Sequence, residues 1–385
     1  MENFEYCNPV RIVFGAGSIA RIADLIDRNH KVMVTYGGGS IKRNGVYDQV
    51  AEALASHAWV EFGGIEPNPR YETCMKAVEK ARTEGVDVLL AVGGGSVIDG
   101  TKFIAAASRY THGDPWEILQ TRGAHVTDAV PLGTVLTLPA TGSEMNMFAV
   151  ISREQTQEKL AFPHPAVFPR FSILDPRVTY TLPRKYVRNG IVDAFVHVME
   201  QYATVDSKAP LQDRQAEAIT KTLVTEAQAI LAEPPDYDAR ATFMWCTTQA
   251  LNGWINCGVV QDWSTHMIGH ELTAFFGVDH AESLAVVLPG VWTHQFEKKK
   301  AKLAQLARRI WHETQGDEDT QARAAIERTE AFFHAVGMPT RLSDYGIDRD
   351  GIQRVVQRFA DRDTRLGEHQ DIGPAEIERI VTLRL

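Results

Sequence analysis

Residues 191–201 read IVDAFVHVMEQ, placing Asp193 and His197 four residues apart inside an apolar run. On a helix, positions i and i+4 lie one above the other, so both side chains leave from a face otherwise made of Val, Phe and Met. That face is expected to be buried, and a buried charge is costly unless a salt bridge, a hydrogen bond or a metal ion pairs with it. The same spacing recurs in DWSTHMIGHEL as His266 and His270, and His280 opens VDHAESLAVVLP ten residues later. Asp193, His197, His266 and His280 make one carboxylate and three imidazoles, a donor set that suits Fe2+ or Zn2+ and not Ca2+ or Mg2+. Spacing alone does not make distant helices converge. Any one of these histidines taken singly is more simply a hydrogen-bonded core or surface residue, and His112, His125 and His164, in loops, keep that reading. HMIGHEL is no zinc-protease H-E-x-x-H, because Met267 stands where the general-base glutamate belongs.

Glycine turns suggest a second chemistry. Gly15-x-Gly17-x-x-Ala20 fits the dinucleotide fingerprint but lacks the ribose-binding acid about 20 residues on, so a tight strand-to-helix turn is the simpler account. KVMVTYGGGS ends a strand in Gly37, Gly38, Gly39 and Ser40. VDVLLAVGGGSVIDGTK ends another in Gly93, Gly94, Gly95 and Ser96, with Asp99 and Lys102 in the helix behind. A third strand ends in TLPATGSE, Thr137 to Glu144. Glycines after a strand let backbone N–H groups approach phosphate oxygens, and the following helix points its positive end at the charge. Three such turns on one sheet edge favour a nucleotide site, since ligands of open α/β sheets bind there.

These groups need elements to carry them. Strand-like runs at 31–36, 86–92, 129–139 and 171–176 alternate with helical patterns such as 44–56 and 71–85, which predicts βαβ units and a parallel sheet. From about Ile191 long helical patterns take over and no comparable strand returns. The expectation is two domains: 1–180, an α/β dinucleotide-binding domain with a parallel sheet, and 181–385, an all-α metal-binding domain. A chain of 385 residues with 44% hydrophobic and 23% charged residues suits two globular cores. The net charge of −9 argues against nucleic acid as a partner, and EKKKAK at 297–302 is most simply a solvated face. Four scattered cysteines without CxxC spacing suit a reducing cytoplasm. The start MENFEYCNPVRIVFG lacks the features of a signal peptide, and no apolar run is long enough for a membrane span.

Taken together, GGGSVIDGTK, LPATGSE, DAFVHVMEQY, HMIGHEL and DHAESLAVVLP resemble the iron-dependent (group III) alcohol dehydrogenases. Within them the chain looks most like the butanol dehydrogenase and NADPH-dependent aldehyde reductase branch, from NPVRIVFGAGSI through GGIEPNP to LSDYGID. The resemblance implies metal ligation by Asp193, His197, His266 and His280, with His270 a further active-site histidine outside the ligand set. It implies that Gly93, Gly94, Gly95 and Ser96 form the pyrophosphate turn, followed by Asp99. Thr137, Thr141, Asn68 and Lys159 fall at positions that contact the cofactor, and a homodimer is expected. After TGSE the run MNMFAV is bulkier than the small residues common in the family, which leaves pocket shape open around Met147 and Phe148.

NAD-using members carry an acid at the end of the second strand; here Gly37 holds that place, with Ser40 nearby and Lys42 and Arg43 beyond. An acid would repel a 2′-phosphate, whereas amides and a hydroxyl bind it, so NADP(H) is expected over NAD(H). The resulting expectation is a metal-dependent, NADP(H)-linked alcohol dehydrogenase or aldehyde reductase that interconverts small aldehydes and primary alcohols by hydride transfer. His270, or water relayed through it, is the expected proton donor. The alternatives are an NAD-linked polyol dehydrogenase, a metal-dependent lyase of the dehydroquinate synthase kind, and a non-enzymatic metal or nucleotide binder. The lyase requires clustered Lys and Arg around a phosphorylated acid, where the helical half offers FMWCTTQALNGW.

Overall fold

The computed structural model describes residues 1–385. The chain divides into two compact units: one of Cys7–Pro183 with Glu233–Thr248, the other of Met1–Tyr6, Arg184–Ala232 and Gln249–Leu385.

The first unit is built on β1 (Arg11–Phe14), β2 (Val32–Tyr36), β3 (Trp59–Phe62), β4 (Val88–Gly94), β5 (Leu132–Leu138), β6 (Phe148–Arg153), β7 (Glu158–Pro163) and β8 (Phe171–Leu174). Its longer helices are α1 (Val46–Ala53), α2 (Tyr71–Thr83) and α3 (Gly95–Arg109). Six strands form a sheet in the order β1-β8-β5-β4-β2-β3, every pairing parallel. β2 and β8 are buried along their whole length and β4 up to its last residue, as expected of apolar, β-branched strands covered on both faces. The strands expected at 31–36, 86–92, 129–139 and 171–176 are the central β2, β4, β5 and β8. Sequence periodicity did not mark β3 or the antiparallel β6–β7 hairpin. β3 is a four-residue edge strand without a buried residue, and the hairpin lies outside the main sheet, so neither carries a strong apolar run.

The second unit contains α4 (Arg184–Tyr202), α5 (Pro210–Ile230), α7 (Ser264–Phe276), α8 (His280–His294), α9 (Phe296–Leu306), α10 (Glu318–Ala335), α11 (Arg349–Asp361) and α12 (Pro374–Thr382), and no strand of the main sheet or the hairpin. The helix between α5 and α7, α6 (Tyr237–Ala250), lies mostly in the α/β unit. There Arg240 donates to the Thr179 carbonyl at 2.8 Å and Thr248 to Glu144 Oε1 at 2.5 Å. Helical periodicity announces such an element without saying which sheet or bundle it serves.

α4 is buried at every position from Gly190 to Tyr202. A helix covered on all sides is a core helix, and its polar residues must find partners in the interior. α8 packs on both α4 and α7. The α7–α8 approach depends on Gly269, where an added methyl would sit 2.8 Å from Ser283 Oγ and 3.1 Å from Leu284 Cδ2. The first turns of α4 and α8 are tied by Arg188–Glu282 at 2.6 Å, a largely enclosed pair, and by the more exposed Lys185–Asp279 at 2.7 Å.

Candidate metal centre and dinucleotide edge

Within the helical unit the structure brings Asp193, His197, His266 and His280 together. One ligand atom from each lies within 4.8 Å of the others. Asp193 Oδ1 is 3.6 Å from His280 Nε2 and 3.8 Å from His197 Nδ1. Four donors at zinc-like bond lengths of about 2.1 Å stand about 3.4 Å apart at the corners of a tetrahedron. The cluster is therefore wider than a closed coordination shell, with all four donors close enough together to share one ion after a small inward shift.

The rings are packed accordingly. His197 stacks on His266 with centroids 4.6 Å apart, and His280 meets His266 edge-on at 5.1 Å. Burial pushes the His197 imidazole down to about 4, with His266 adding to the effect and Asp193 opposing it. A neutral imidazole is the form that ligates a cation. His197 Nδ1 is buried without a hydrogen-bond partner, an arrangement a cation would relieve. The donor set, the spacing and this buried nitrogen all fit a divalent ion.

His270 lies one turn beyond His266 on α7, its ring centroid 5.3 Å from that of His280 and 6.2 Å from that of His266. It stands beside the cluster and is not one of the four converging donors. Trp263 packs edge-on to His266 at 5.2 Å and covers His197 at 6.2 Å.

Glu200 also belongs to this site. It follows Asp193 and His197 at i+7 and i+3 on α4, so it belongs to the same stripe. Its carboxylate reaches α7, accepting from the backbone N–H of Thr265 at 2.7 Å and of His266 at 3.2 Å, and bonding the ring Nδ1 of His266. Burial, with Asp262 nearby, raises the Glu200 carboxyl well above its ordinary range, while the two amides and Lys299 oppose that shift. The available signal was the one that exposed Asp193: an acid in an apolar helical run.

In the α/β unit, β2, β4 and β5 are neighbours. The register pairs Tyr36 with Val92, Gly93 with Leu136 and Gly94 with Leu138, so the three glycine turns start side by side on the carboxyl edge. Gly38 and Ser40 are exposed, while Gly37 and Gly39 are half-buried. Lys42 is engaged by Glu61 at 3.0 Å and lies over the Tyr36 and Tyr47 rings. Glu61, on β3, lies opposite Val34 and is paired with Lys42.

Asn68, Ser96 and Lys159 converge. Asn68 adopts φ 56, its N–H donates to Ser96 Oγ at 3.3 Å, and Lys159 Nζ donates to its Oδ1 at 2.8 Å. Asp99 turns inward from α3: Oδ1 accepts from Ser143 Oγ at 2.6 Å and Oδ2 from the Val150 N–H at 3.0 Å. Beside it, buried Lys102 donates to Ser143 Oγ and to the Asn146 and Phe148 carbonyls, each at 2.8 Å. Both side chains pin the third turn and the start of β6. Thr141 Oγ1 accepts from the Ser143 N–H at 3.2 Å, and Thr137 is buried at the end of β5. Met147, just before β6, is half-buried, and Phe148, its first residue, is exposed. The Gly15–Gly17 turn is held from within, because the Gly17 N–H donates to Asp175 Oδ2 at 2.6 Å.

A parallel sheet with adjoining glycine turns on its carboxyl edge, in a chain that also carries a helical unit with a His/Asp cluster, defines a dehydrogenase-type protein of two units. Residues 9–176 match the family described as iron-containing alcohol dehydrogenase, and 188–383 match the C-terminal part of the Fe-containing alcohol dehydrogenase family. The chain belongs to that family. It is 54% identical over 374 residues to the NADPH-dependent aldehyde reductase YqhD of Escherichia coli, covering 97% of each chain. It is 40% identical over 390 residues to a probable NADH-dependent butanol dehydrogenase 1 of Bacillus subtilis, covering 100% of both. The crystal structure of E. coli YqhD superposes with a TM-score of 0.98 at 52% identity, over 100% of this chain and 99% of that one.

Proposed function

We propose that the protein is a metal-dependent, NADP(H)-linked alcohol dehydrogenase that works as an aldehyde reductase on small aldehydes. One observation carries this reading: a converging Asp193, His197, His266 and His280 cluster in a chain 54% identical to an NADPH-dependent aldehyde reductase. When bound, a divalent metal supplies Lewis-acid polarisation of a carbonyl, and NADPH supplies the hydride. Asp193, His197, His266 and His280 hold the cation. One carboxylate and three neutral imidazoles leave it a net positive charge, and both Fe2+ and Zn2+ suit this set. His270 delivers the proton to the product oxygen, directly or through water.

On the other unit, the amides of Gly93–Ser96 face the pyrophosphate, and Gly37–Ser40 receive the 2′-phosphate. Asn68 and Lys159 act as one hydrogen-bonded pair toward the cofactor, and Thr137 and Thr141 line the third turn. Asp99 acts through Ser143 and Val150, which it holds in place. We further propose a cytoplasmic homodimer. No helix is long and apolar enough to cross a membrane.

The test is loss of nicotinamide absorbance with butanal, using protein stripped of metal and reloaded with Fe2+ or Zn2+. Metal-dependent oxidation of NADPH supports the reading. Equal NADPH oxidation with and without metal overturns the metal assignment, and no oxidation with any of a panel of aldehydes overturns the reductase.

A further inference from the structure

The Glu200 carboxylate, on α4, shares the capping of α7 with Asp262. The first amides of a helix have no partner inside it; at the start of α7, Asp262 Oδ1 accepts from the Ser264 N–H at 2.8 Å and the next two amides remain. Glu200 reaches across from α4 and takes the Thr265 and His266 amides on Oε1. Its other oxygen, Oε2, bonds His266 Nδ1. Both residues are buried, with His266 7% and Glu200 4% exposed. Behind them, buried Lys299 bonds Asp262 Oδ2 at 2.8 Å, Glu368 at 2.9 Å and the Ala203 carbonyl at 2.8 Å, placing an ammonium in the same interior.

The proton in the Glu200–His266 bond has two possible homes. On Nδ1, the ring donates to a carboxylate and leaves a lone pair on Nε2. On Oε2, the acid donates to Nδ1 and the ring proton sits on Nε2, which then ligates nothing. Two backbone N–H donors on Oε1, at the start of α7, fix the carboxyl group so that Oε2 faces His266 Nδ1. We propose that Glu200 is the positioning residue of the metal centre: it holds His266 in the tautomer that offers Nε2 to the cation, and it fixes the ring plane while capping the helix that carries it. This rests on the metal-dependent reading above. A carboxylate behind a ligating imidazole commonly changes metal affinity 10–100-fold, roughly, when removed.

The experiment uses the full chain and Zn2+ alone. Affinity is measured by chelator competition for wild type, Glu200→Gln and Glu200→Asp, with circular dichroism to verify the fold. Glu200→Gln keeps an acceptor for the amides but no carboxylate, and is expected to bind Zn2+ about 10- to 100-fold more weakly. Glu200→Asp keeps the charge and is expected to recover part of that loss. In Zn2+-loaded wild type with 15N-labelled histidine, the His266 ring is expected to carry its proton on Nδ1. Zn2+ affinity in Glu200→Gln within twofold of wild type overturns the proposal and leaves the metal centre standing, whereas a His266 ring protonated on Nε2 overturns the proposal and removes His266 from the ligand set. The ring measurement decides the matter even if the variants do not fold. Wild type that binds no Zn2+ or Fe2+ overturns the metal reading itself.

Discussion

Thr141 occupies the space that a side chain on Gly95 would need. A methyl there would touch Thr141 Oγ1 and lie 2.6 Å from its Cγ2 and 3.1 Å from its Cβ. The first residue of α3 and the third turn are thus in van der Waals contact, and the two turns behave as one surface. Gly38, by contrast, has nothing within 4 Å of the same position.

Gly95→Ala is therefore expected to destabilise the α/β unit by about 1–3 kcal/mol through overpacking and to weaken NADPH binding. Gly38→Ala should leave the melting temperature within error while weakening NADPH, if that open edge receives the phosphates. Thermal melts and NADPH fluorescence titrations check both, and an unchanged melting temperature in Gly95→Ala contradicts the steric account.

Cofactor choice is tested at the end of β2. Wild type should show a higher kcat/KM with NADPH than with NADH. Gly37→Asp places a carboxylate beside the proposed 2′-phosphate site, a repulsion of about 1–4 kcal/mol at 4 Å, so the preference should fall about tenfold or more. A wild-type preference for NADH removes the argument.

Ligand and proton donor separate cleanly by variant. His266→Ala and His280→Ala each remove one of four converging donors, so elemental analysis should find the metal gone and turnover with it. His270→Ala should retain the metal and lose about 10²–10⁴-fold in turnover if it transfers the proton. Full metal content in His266→Ala or His280→Ala assigns that residue a different role.

The C-terminal segment supplies a pH prediction. Glu330 on α10 bonds the buried Arg384 and accepts from Thr340 Oγ1 at 2.7 Å. Burial raises this carboxyl, but Arg384 and Thr340 outweigh it and hold it below its ordinary 4.5. A carboxyl lowered on folding binds fewer protons in the native state, so its contribution is complete above pH 4.5 and disappears as pH falls through the native value. Glu330→Gln should cost about 1.5–3 kcal/mol at neutral pH and flatten the acid limb of stability. Urea unfolding at neutral pH and below pH 4.5 measures both. An acid limb as steep as that of wild type places the titration elsewhere.

Legibility followed the strength of local patterns. β2, β4, β5 and β8 were readable because a strand covered on both faces is apolar throughout, and each ends in a distinct turn. β3 and the β6–β7 hairpin were not, since an edge strand and a hairpin outside the sheet leave a weak pattern. α6 was readable as a helix, yet its docking rests on Arg240 and Thr248, whose partners Thr179 and Glu144 lie 61 and 104 residues away. Asp193 and His197 were legible as a pair because helical spacing puts them on one face. Glu200 is legible as an acid in the same apolar run, but its role is not, because its partner His266 is on another helix.

The amino-acid sequence by itself determined which side chains share a helix face and which glycines end a strand. Those relations are local, set by backbone periods of 3.6 and 2 residues. Only the tertiary structure decided that β4 lies between β2 and β5, which sets three separate turns on one edge. It also decided that α7, α8 and α4 approach closely enough to gather one carboxylate and three imidazoles. Strand order and helix crossing depend on packing between segments far apart in the chain, as at Gly269 against Ser283, and no local pattern encodes that contact.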